Sequence, residues 1–301
     1  MRTRPVTTKI DPERCTGCGL CISVCPSDTL SLFNGKATVT GNESMNCGHC
    51  MAVCPQSAIR VEALENDTLT FSTFSLDRRW LPWGQFDPHS LARLMASRRS
   101  CRSFTSREIP RIILEDLIRL GTLAPSGTNS QLWTFQVFPT REKVKKLTTR
   151  IGDFYRDVNT KAGKPWLRFL LKCVGRPELD TYYREYYDSV NDAISQMETG
   201  NKDLLFHGAT AVIAVGAKPG ASCPAEDALL ATENILLGAH AMGLGTCLIG
   251  YAVIAMARDR RIAGYLGLVP GETIHAVIAL GYPAETYQTI TGRKPVSMKF
   301  F

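Results

Sequence analysis

A cysteine run near the N-terminus, Cys15-Thr-Gly-Cys18-Gly-Leu-Cys21-Ile-Ser-Val-Cys25-Pro26, constrains this chain more than any other feature, because it returns. At an offset of 29 residues, Cys18, Cys21, Cys25 and Pro26 map onto Cys47, Cys50, Cys54 and Pro55. The apolar positions Val24, Leu30 and Leu32 map onto Val53, Ile59 and Val61. Of the 11 cysteines, 7 fall within residues 1–65. The total is odd, and no apolar signal core follows Met1-Arg-Thr-Arg-Pro5, so a cytoplasmic location without a disulfide framework is expected. Dense cysteine in a reducing compartment binds metal. The C-x2-C-x2-C-x3-C-P spacing suits iron–sulfur cubes: a tight loop brings three thiolates to three irons, and the fourth cysteine, past a short helical turn, points at a second cube. Zinc knuckles pair C-x2-C units at wider separation. Each half is predicted as a cluster loop, a short helix and a strand.

Over residues 5–65 this repeat resembles the two-cluster bacterial ferredoxins. The cross-over of that family implies that Cys15, Cys18, Cys21 and Cys54 hold one [4Fe-4S] cluster. A second cluster would use Cys25, Cys47, Cys50 and the residue at position 44, which is Ser44 instead of cysteine. Three outcomes stay open for that site: a [4Fe-4S] cluster ligated by the Ser44 oxygen or a non-protein group, a [3Fe-4S] cluster, or an empty site. His49, inside the cluster loop, is expected to tune or cover the cube and not to bind it.

The net charge of +7 is uneven, with 18 basic against 8 acidic side chains between residues 89 and 180. Such an excess suits a solvated face or an anionic ligand such as a phosphate. Interleaved aromatics and zinc-finger or helix-turn-helix spacing are missing, so no nucleic-acid partner is expected. No stretch reaches the roughly 18 apolar residues of a membrane span, so no membrane partner is expected either.

Residues 66–88 read as a linker whose Trp80 and Trp83 cover a seam between domains. Asp87-Pro88 marks a helix start, with Leu91, Leu94 and Met95 on one face. Another helix is predicted near Pro110, with Ile113, Leu114, Leu117 and Leu120 as its buried stripe, and a small-residue helix over 225–242. Apolar runs at 135–138, 211–217 and 276–280 read as buried strands. Cys101, Cys173, Cys223 and Cys247 read as small buried residues.

Four motifs in order give this part a likeness: Ser97-Arg-Arg-Ser-Cys-Arg-Ser-Phe104, Ala124-Pro-Ser-Gly-Thr-Asn-Ser-Gln-Leu-Trp133, Gly243-Leu-Gly-Thr-Cys-Leu-Ile-Gly250 and Gly292-Arg-Lys-Pro295. Over residues 89–301 the chain resembles the FMN-dependent nitroreductase family, departing from it at Leu132, where proline is common. The implied fold class is α+β: a three-layer nitroreductase-like sandwich (89–301) preceded by a small bacterial-ferredoxin-like iron–sulfur domain (1–65) and a linker (66–88). The resemblance implies FMN contacts from Arg98, Arg99, Ser100 and Arg102, with Arg102 beside the N1–C2=O edge of the ring. It implies Pro125, Ser126, Asn129 and Gln131 at the other ring edge, Ile249 and Gly250 near N5, and Arg293 with Lys294 at the phosphate. Forked guanidiniums suit a phosphate dianion.

The repeat and the resemblance together imply an iron–sulfur flavoprotein, a homodimer with FMN where two subunits meet. It is expected to pass electrons from iron–sulfur clusters, an external ferredoxin or NAD(P)H to FMN and on to a nitroaromatic or quinone. The alternatives are a flavin-dependent dehydrogenase, a reductive dehalogenase and a non-catalytic relay or redox sensor. A dehalogenase lid would hold a zwitterion through Glu, Tyr and Lys; Glu185 and Tyr186 are available, but no lysine follows in register. Trp166, Phe169, Tyr182, Tyr183, Tyr186 and Tyr187 read either as such a lid or as plain helix packing. No catalytic acid or base is assigned.

Overall fold

The computed structural model describes residues 4–200 and 202–301. The N-terminal repeat contains β1 (Arg4–Pro5), β2 (Thr8–Ile10), α1 (Leu20–Ser23), β3 (Leu30–Phe33), β4 (Lys36–Val39), β5 (Glu43–Ser44), α2 (His49–Val53) and β6 (Ile59–Val61). Three antiparallel pairs form, β1 with β5, β2 with β6 and β3 with β4. The repeat is visible in the backbone as well as in the sequence. Left-handed conformations occur at Gly17 and Asn46, Gly19 and Gly48, and Asp28 and Ser57, each pair separated by the 29-residue offset. A loop that turns successive thiolates inward needs such positive φ, which glycine and asparagine tolerate best.

Residues 70–87 begin with a stacked pair, Phe71 on Phe74 at 4.5 Å. Trp80 and Trp83 do not cover a seam: they touch each other edge-on and are 71% and 88% exposed. This segment is held instead by a carboxylate that the sequence did not advertise. Asp116 is fully buried and accepts hydrogen bonds from the N–H groups of Ser72 and Thr73, the Thr73 hydroxyl and Arg119 Nη1, at 2.7–2.9 Å. Burial pushes its carboxyl up, but those donors together outweigh burial and hold it below the ordinary carboxylate range. Its stabilisation is therefore present at neutral pH and lost as the pH falls through the depressed folded value. Asp116→Ala strands several buried donors and is expected to cost about 2–4 kcal/mol. Thermal melts should show that loss at neutral pH shrinking in acid; an unchanged melting temperature would contradict it.

Beyond residue 87 come α3 (Pro88–Ser97), α4 (Arg111–Gly121), β7 (Trp133–Phe138), α5 (Arg141–Ala162), α6 (Pro165–Cys173), α7 (Glu178–Glu185), α8 (Tyr187–Glu198), β8 (Ala211–Ala217), α9 (Pro224–Ala241), β9 (Gly245–Leu248), α10 (Gly250–Arg258), α11 (Arg260–Leu266) and β10 (Thr273–Gly281). The strands form one antiparallel sheet in the order β7-β8-β10-β9. Strands β8 and β10 are apolar throughout because both faces are covered. Val212, Ala214, Val277 and Ala279 face α5, α8, α10 and α11. Ala211, Ile213, Val215, Ala276, Ile278 and Leu280 face α4 and α9. This is the three-layer α+β sandwich. The α4–α9 contact is close because a Cβ on Gly238 would stand 2.6 Å from Leu120 Cδ1.

The aromatic stretch divides. Tyr182 donates to Asn159 Oδ1 at 2.6 Å, and Tyr186 packs edge-on against Tyr251, whereas Trp166 and Phe169 are exposed. The cysteines divide too: Cys101 and Cys247 are buried, but Cys173 and Cys223 are exposed, contrary to expectation.

Candidate functional site

The repeat brings its cysteines together in two groups. Cys15, Cys18, Cys21 and Cys54 line one small hollow. Cys25, Cys47, Cys50 and Ser44 line another. Among the described residues, no three Cys, His, Asp or Glu side chains converge closely enough for one metal ion. Each group lines a hollow of its own.

The donor chemistry fits as well. Main-chain N–H groups point at thiol sulfurs, Ala37 to Cys15 at 3.4 Å, Thr29 to Cys25 at 3.4 Å and Ala58 to Cys54 at 3.3 Å, and such donors favour negative sulfur. The N–H groups of Ala37 and Gly17 hold the Cys15 thiol below its ordinary range, while burial pushes those of Cys21 and Cys50 up. Ser44 is the repeat mate of Cys15 and is buried alike, 8% against 9% exposed. Its Oγ accepts from Asn46 N at 3.0 Å, as the repeat mate of Asn46, Gly17, supports Cys15. Ser44 therefore stands in the second half where Cys15 stands in the first. His49 Nδ1 lies 2.9 Å from Cys47 Sγ, beside the ligand set.

Eight of the residues expected at FMN gather at one corner of the sheet. Ser100 bridges in parallel to Thr246, and Cys101 N donates to Thr246 O at 2.8 Å, so 98–102 runs along the outer side of β9. Only glycine permits this approach at position 245, where a Cβ would stand 2.8 Å from Cys101. Ile249 is buried, its N–H bound to Val277 O at 2.9 Å, and Gly250 opens α10 beside it. The C-terminal segment closes on this strip: Phe104 bridges Pro283, Arg102 N donates to Glu285 at 2.9 Å, and Arg99 Nη1 donates to Thr291 Oγ1 at 2.8 Å. Arg99 thus fastens the tail that carries Arg293 and Lys294. Among the described residues, no carboxylate lies within salt-bridge distance of Arg98, Arg102 or Arg293. Their charge is available to an anion.

Pro125, Ser126, Asn129 and Gln131 stand elsewhere. Thr128, Asn129 and Gln131 all have positive φ, and for the β-branched Thr128 this is strained backbone of the kind that clusters at functional sites. Asp227, which no sequence motif marked, imposes that shape. It is buried in the first turn of α9 and accepts from Gly127 N at 2.8 Å and Ser130 Oγ at 3.1 Å, while its carbonyl accepts from Trp133 Nε1. The only sequence signal was an acid three residues after Pro224. Asp227→Ala should release the loop at a cost of about 1–3 kcal/mol and lower flavin retention, read by thermal melt and flavin absorbance; full retention would show that the loop's shape does not matter.

Strand register places this loop far from the arginine strip. Trp133 pairs with Ala217, which pairs with Thr273, whereas Thr246 pairs with Leu280. Seven residues along β10 and three strand spacings across separate the two, roughly 27 Å at 3.3 Å per residue and 4.8 Å per strand. That exceeds the span of one flavin. The loop meets the iron–sulfur repeat instead. Asn129 Nδ2 donates to the carbonyls of Asn46 at 3.1 Å and Met45 at 3.4 Å, and Arg4 donates to the carbonyls of Asn129 at 3.0 Å and of Thr128.

Residues 95–282 match the family model described as "Nitroreductase family", and residues 8–31 match one described as "4Fe-4S binding domain". The chain belongs to the nitroreductase family. It is an FMN-dependent oxidoreductase of that family, an iron–sulfur flavoprotein with a 4Fe-4S binding segment at its N-terminus. A protein of Archaeoglobus fulgidus, provisionally named NADH dehydrogenase/NAD(P)H nitroreductase, is 24% identical over 193 residues, 64% of this chain and 85% of the relative. An iodotyrosine dehalogenase 1 homolog of Caenorhabditis elegans is 36% identical over 76 residues, 24% of this chain and 23% of that protein. A nitroreductase with bound FMN from Desulfitobacterium hafniense has a TM-score of 0.49 and 23% identity, covering 69% of this chain and 97% of that one. No helix among the described residues is long and apolar enough to cross a membrane.

Proposed function

We propose that residues 1–65 form a two-cluster ferredoxin-like domain and residues 66–88 a linker, and that residues 89–301 form an FMN domain which reduces an electron-poor organic acceptor, a nitroaromatic or quinone, with electrons delivered through the iron–sulfur sites. The observation that carries this reading is the seam: the second cluster loop is hydrogen-bonded through Met45 and Asn46 to the expected flavin loop at Asn129. When bound, the clusters supply one-electron transfer and FMN couples it to two-electron chemistry. The chain's own residues hold and orient. Cys15, Cys18, Cys21 and Cys54 hold the first cluster, and Cys25, Cys47 and Cys50, with the Ser44 oxygen, hold the second. Arg98, Ser100, Arg293 and Lys294 grip the phosphate, Arg102 stands by the ring, and Ile249 and Gly250 present main chain to it.

The flavin is shared between two copies of the chain in this reading, with Pro125, Ser126, Asn129 and Gln131 coming from the second. The separation of loop and arginine strip supports this, and so do the large apolar groups left exposed, among them Trp80, Trp83, Leu229, Leu230 and Phe300. The test is anaerobic and spectral. NADH, NADPH and reduced ferredoxin are offered separately, flavin bleaching is followed, and then a nitroaromatic, a quinone or an iodotyrosine is added. Ferredoxin-driven bleaching with multiple turnovers on the nitroaromatic or quinone is expected. Turnover on iodotyrosine alone would favour the dehalogenase reading, and bleaching with no turnover a relay.

A further inference from the structure

Met45 and Asn46 belong to the second cluster loop, and Asn129 binds both of their carbonyls. Arg4 ties the same place down by spanning the carbonyls of Thr128, Asn129 and Met45. The first cluster hollow has no such tie among the described residues, and its Cys18 is exposed. The second site is therefore the one next to the flavin domain. Yet the loop it touches lies roughly 27 Å, by strand register, from the arginine strip of its own chain.

We infer that the seam of one chain serves the flavin gripped by the other, so that electrons cross between subunits. The second cluster site of each chain faces the flavin held by the partner's Arg98, Arg102 and Arg293. This rests on the shared-flavin reading above and deepens it. Each electron leaves a reduced ferredoxin-type donor protein, which is oxidised by one electron; two such deliveries and two protons from water balance the two-electron reduction of the flavin.

Mixed dimers test it. One lesion is Arg98→Ala with Arg293→Ala, which removes the grip; the other is Cys50→Ala, which removes the second cluster. Differently tagged chains are co-expressed and the mixed dimer is purified anaerobically. With the lesions on separate chains, the one remaining flavin should bleach with reduced ferredoxin at the wild-type rate per flavin. With both lesions on one chain and the other intact, bleaching should fall to the rate without ferredoxin. The opposite pair of results means wiring within a chain and overturns the inference. Should Cys50→Ala fail to fold, Arg4→Asp, which opens the seam without touching a cluster ligand, replaces it in both pairings.

A second readout does not depend on turnover. In the FMN-loaded dimer, cysteines introduced as Thr128→Cys on one tagged chain and Lys294→Cys on the other should be joined by a short bismaleimide between chains. Cross-linking only within a doubly substituted chain would overturn both the shared site and the inference. Cross-links between chains together with wiring within a chain would remove the inference alone. If the wild-type flavin bleaches no faster with ferredoxin than that of the Cys50→Ala homodimer, the electron-delivery reading fails, and the inference with it.

Discussion

Replacing both Arg98 and Arg293 by alanine is expected to give folded protein that purifies without yellow colour. Arg98 stands half-buried at the end of α3 and Arg293 is exposed on the C-terminal segment, and neither is neutralised by a carboxylate among the described residues. A guanidinium fork on a phosphate dianion is worth about 1.5–3 kcal/mol for each charged hydrogen-bonding group, so losing two should weaken FMN binding by roughly 10²- to 10⁴-fold. Flavin absorbance after gel filtration and a fluorescence titration with added FMN measure this directly. Arg93→Ala, an exposed charge on the same helix, serves as the control and should retain flavin. A double variant that keeps one flavin per chain would remove these arginines from the site. Because neither residue is in a hydrophobic core, stability should change little, so flavin loss and unfolding can be told apart.

The second large effect is expected at Ser44. Ser44 is the repeat mate of Cys15, equally buried and supported by the matching main-chain N–H, and it lines the second hollow with Cys25, Cys47 and Cys50. Such a lining suits a second cube held by three thiolates and one oxygen. Ser44→Ala removes the oxygen proposed as the fourth ligand, leaving Cys25, Cys47 and Cys50, which suit a three-iron cluster. Iron should fall from about eight to about seven per chain, with a three-iron EPR signal in the oxidised protein. Ser44→Cys should restore four thiolates and about eight irons and make the second site resemble the first. About four irons in the unaltered protein would mean that the second site is empty, and would also end the proposal that electrons leave through it.

The grouping of the cysteines was legible in the chain because the geometry of each loop is local. Within each loop the spacing of thiolates along a few residues, with glycine or asparagine supplying left-handed backbone at 17, 19, 46 and 48, fixes which sulfurs point inward. Even the substitution at position 44 could be placed by counting from Cys15. The sandwich was legible for a related reason: β8 and β10 carry apolar residues at both parities, which a strand covered on one face does not need.

What the chain could not reveal is set by groups distant in sequence. Asp116 holds Ser72 and Thr73 across more than 40 residues, and Asp227 shapes the loop 100 residues before it. Nothing local distinguishes either acid from an ordinary helix carboxylate; only burial against unpaired donors gives them their role. The tryptophans misled for the converse reason, since apolar character favours burial but only the tertiary structure decides whether a surface is there to receive it. Motif order marked the segments expected at the flavin, whereas strand order placed the Asn129 loop and the Arg98 strip at opposite corners of the sheet. A residue type constrains what a side chain can bind, and sequence spacing constrains neighbours within a turn or a loop. Which distant segments meet is settled by sheet register and close packing, and at Asn129 that choice joined the expected flavin loop to the iron–sulfur repeat.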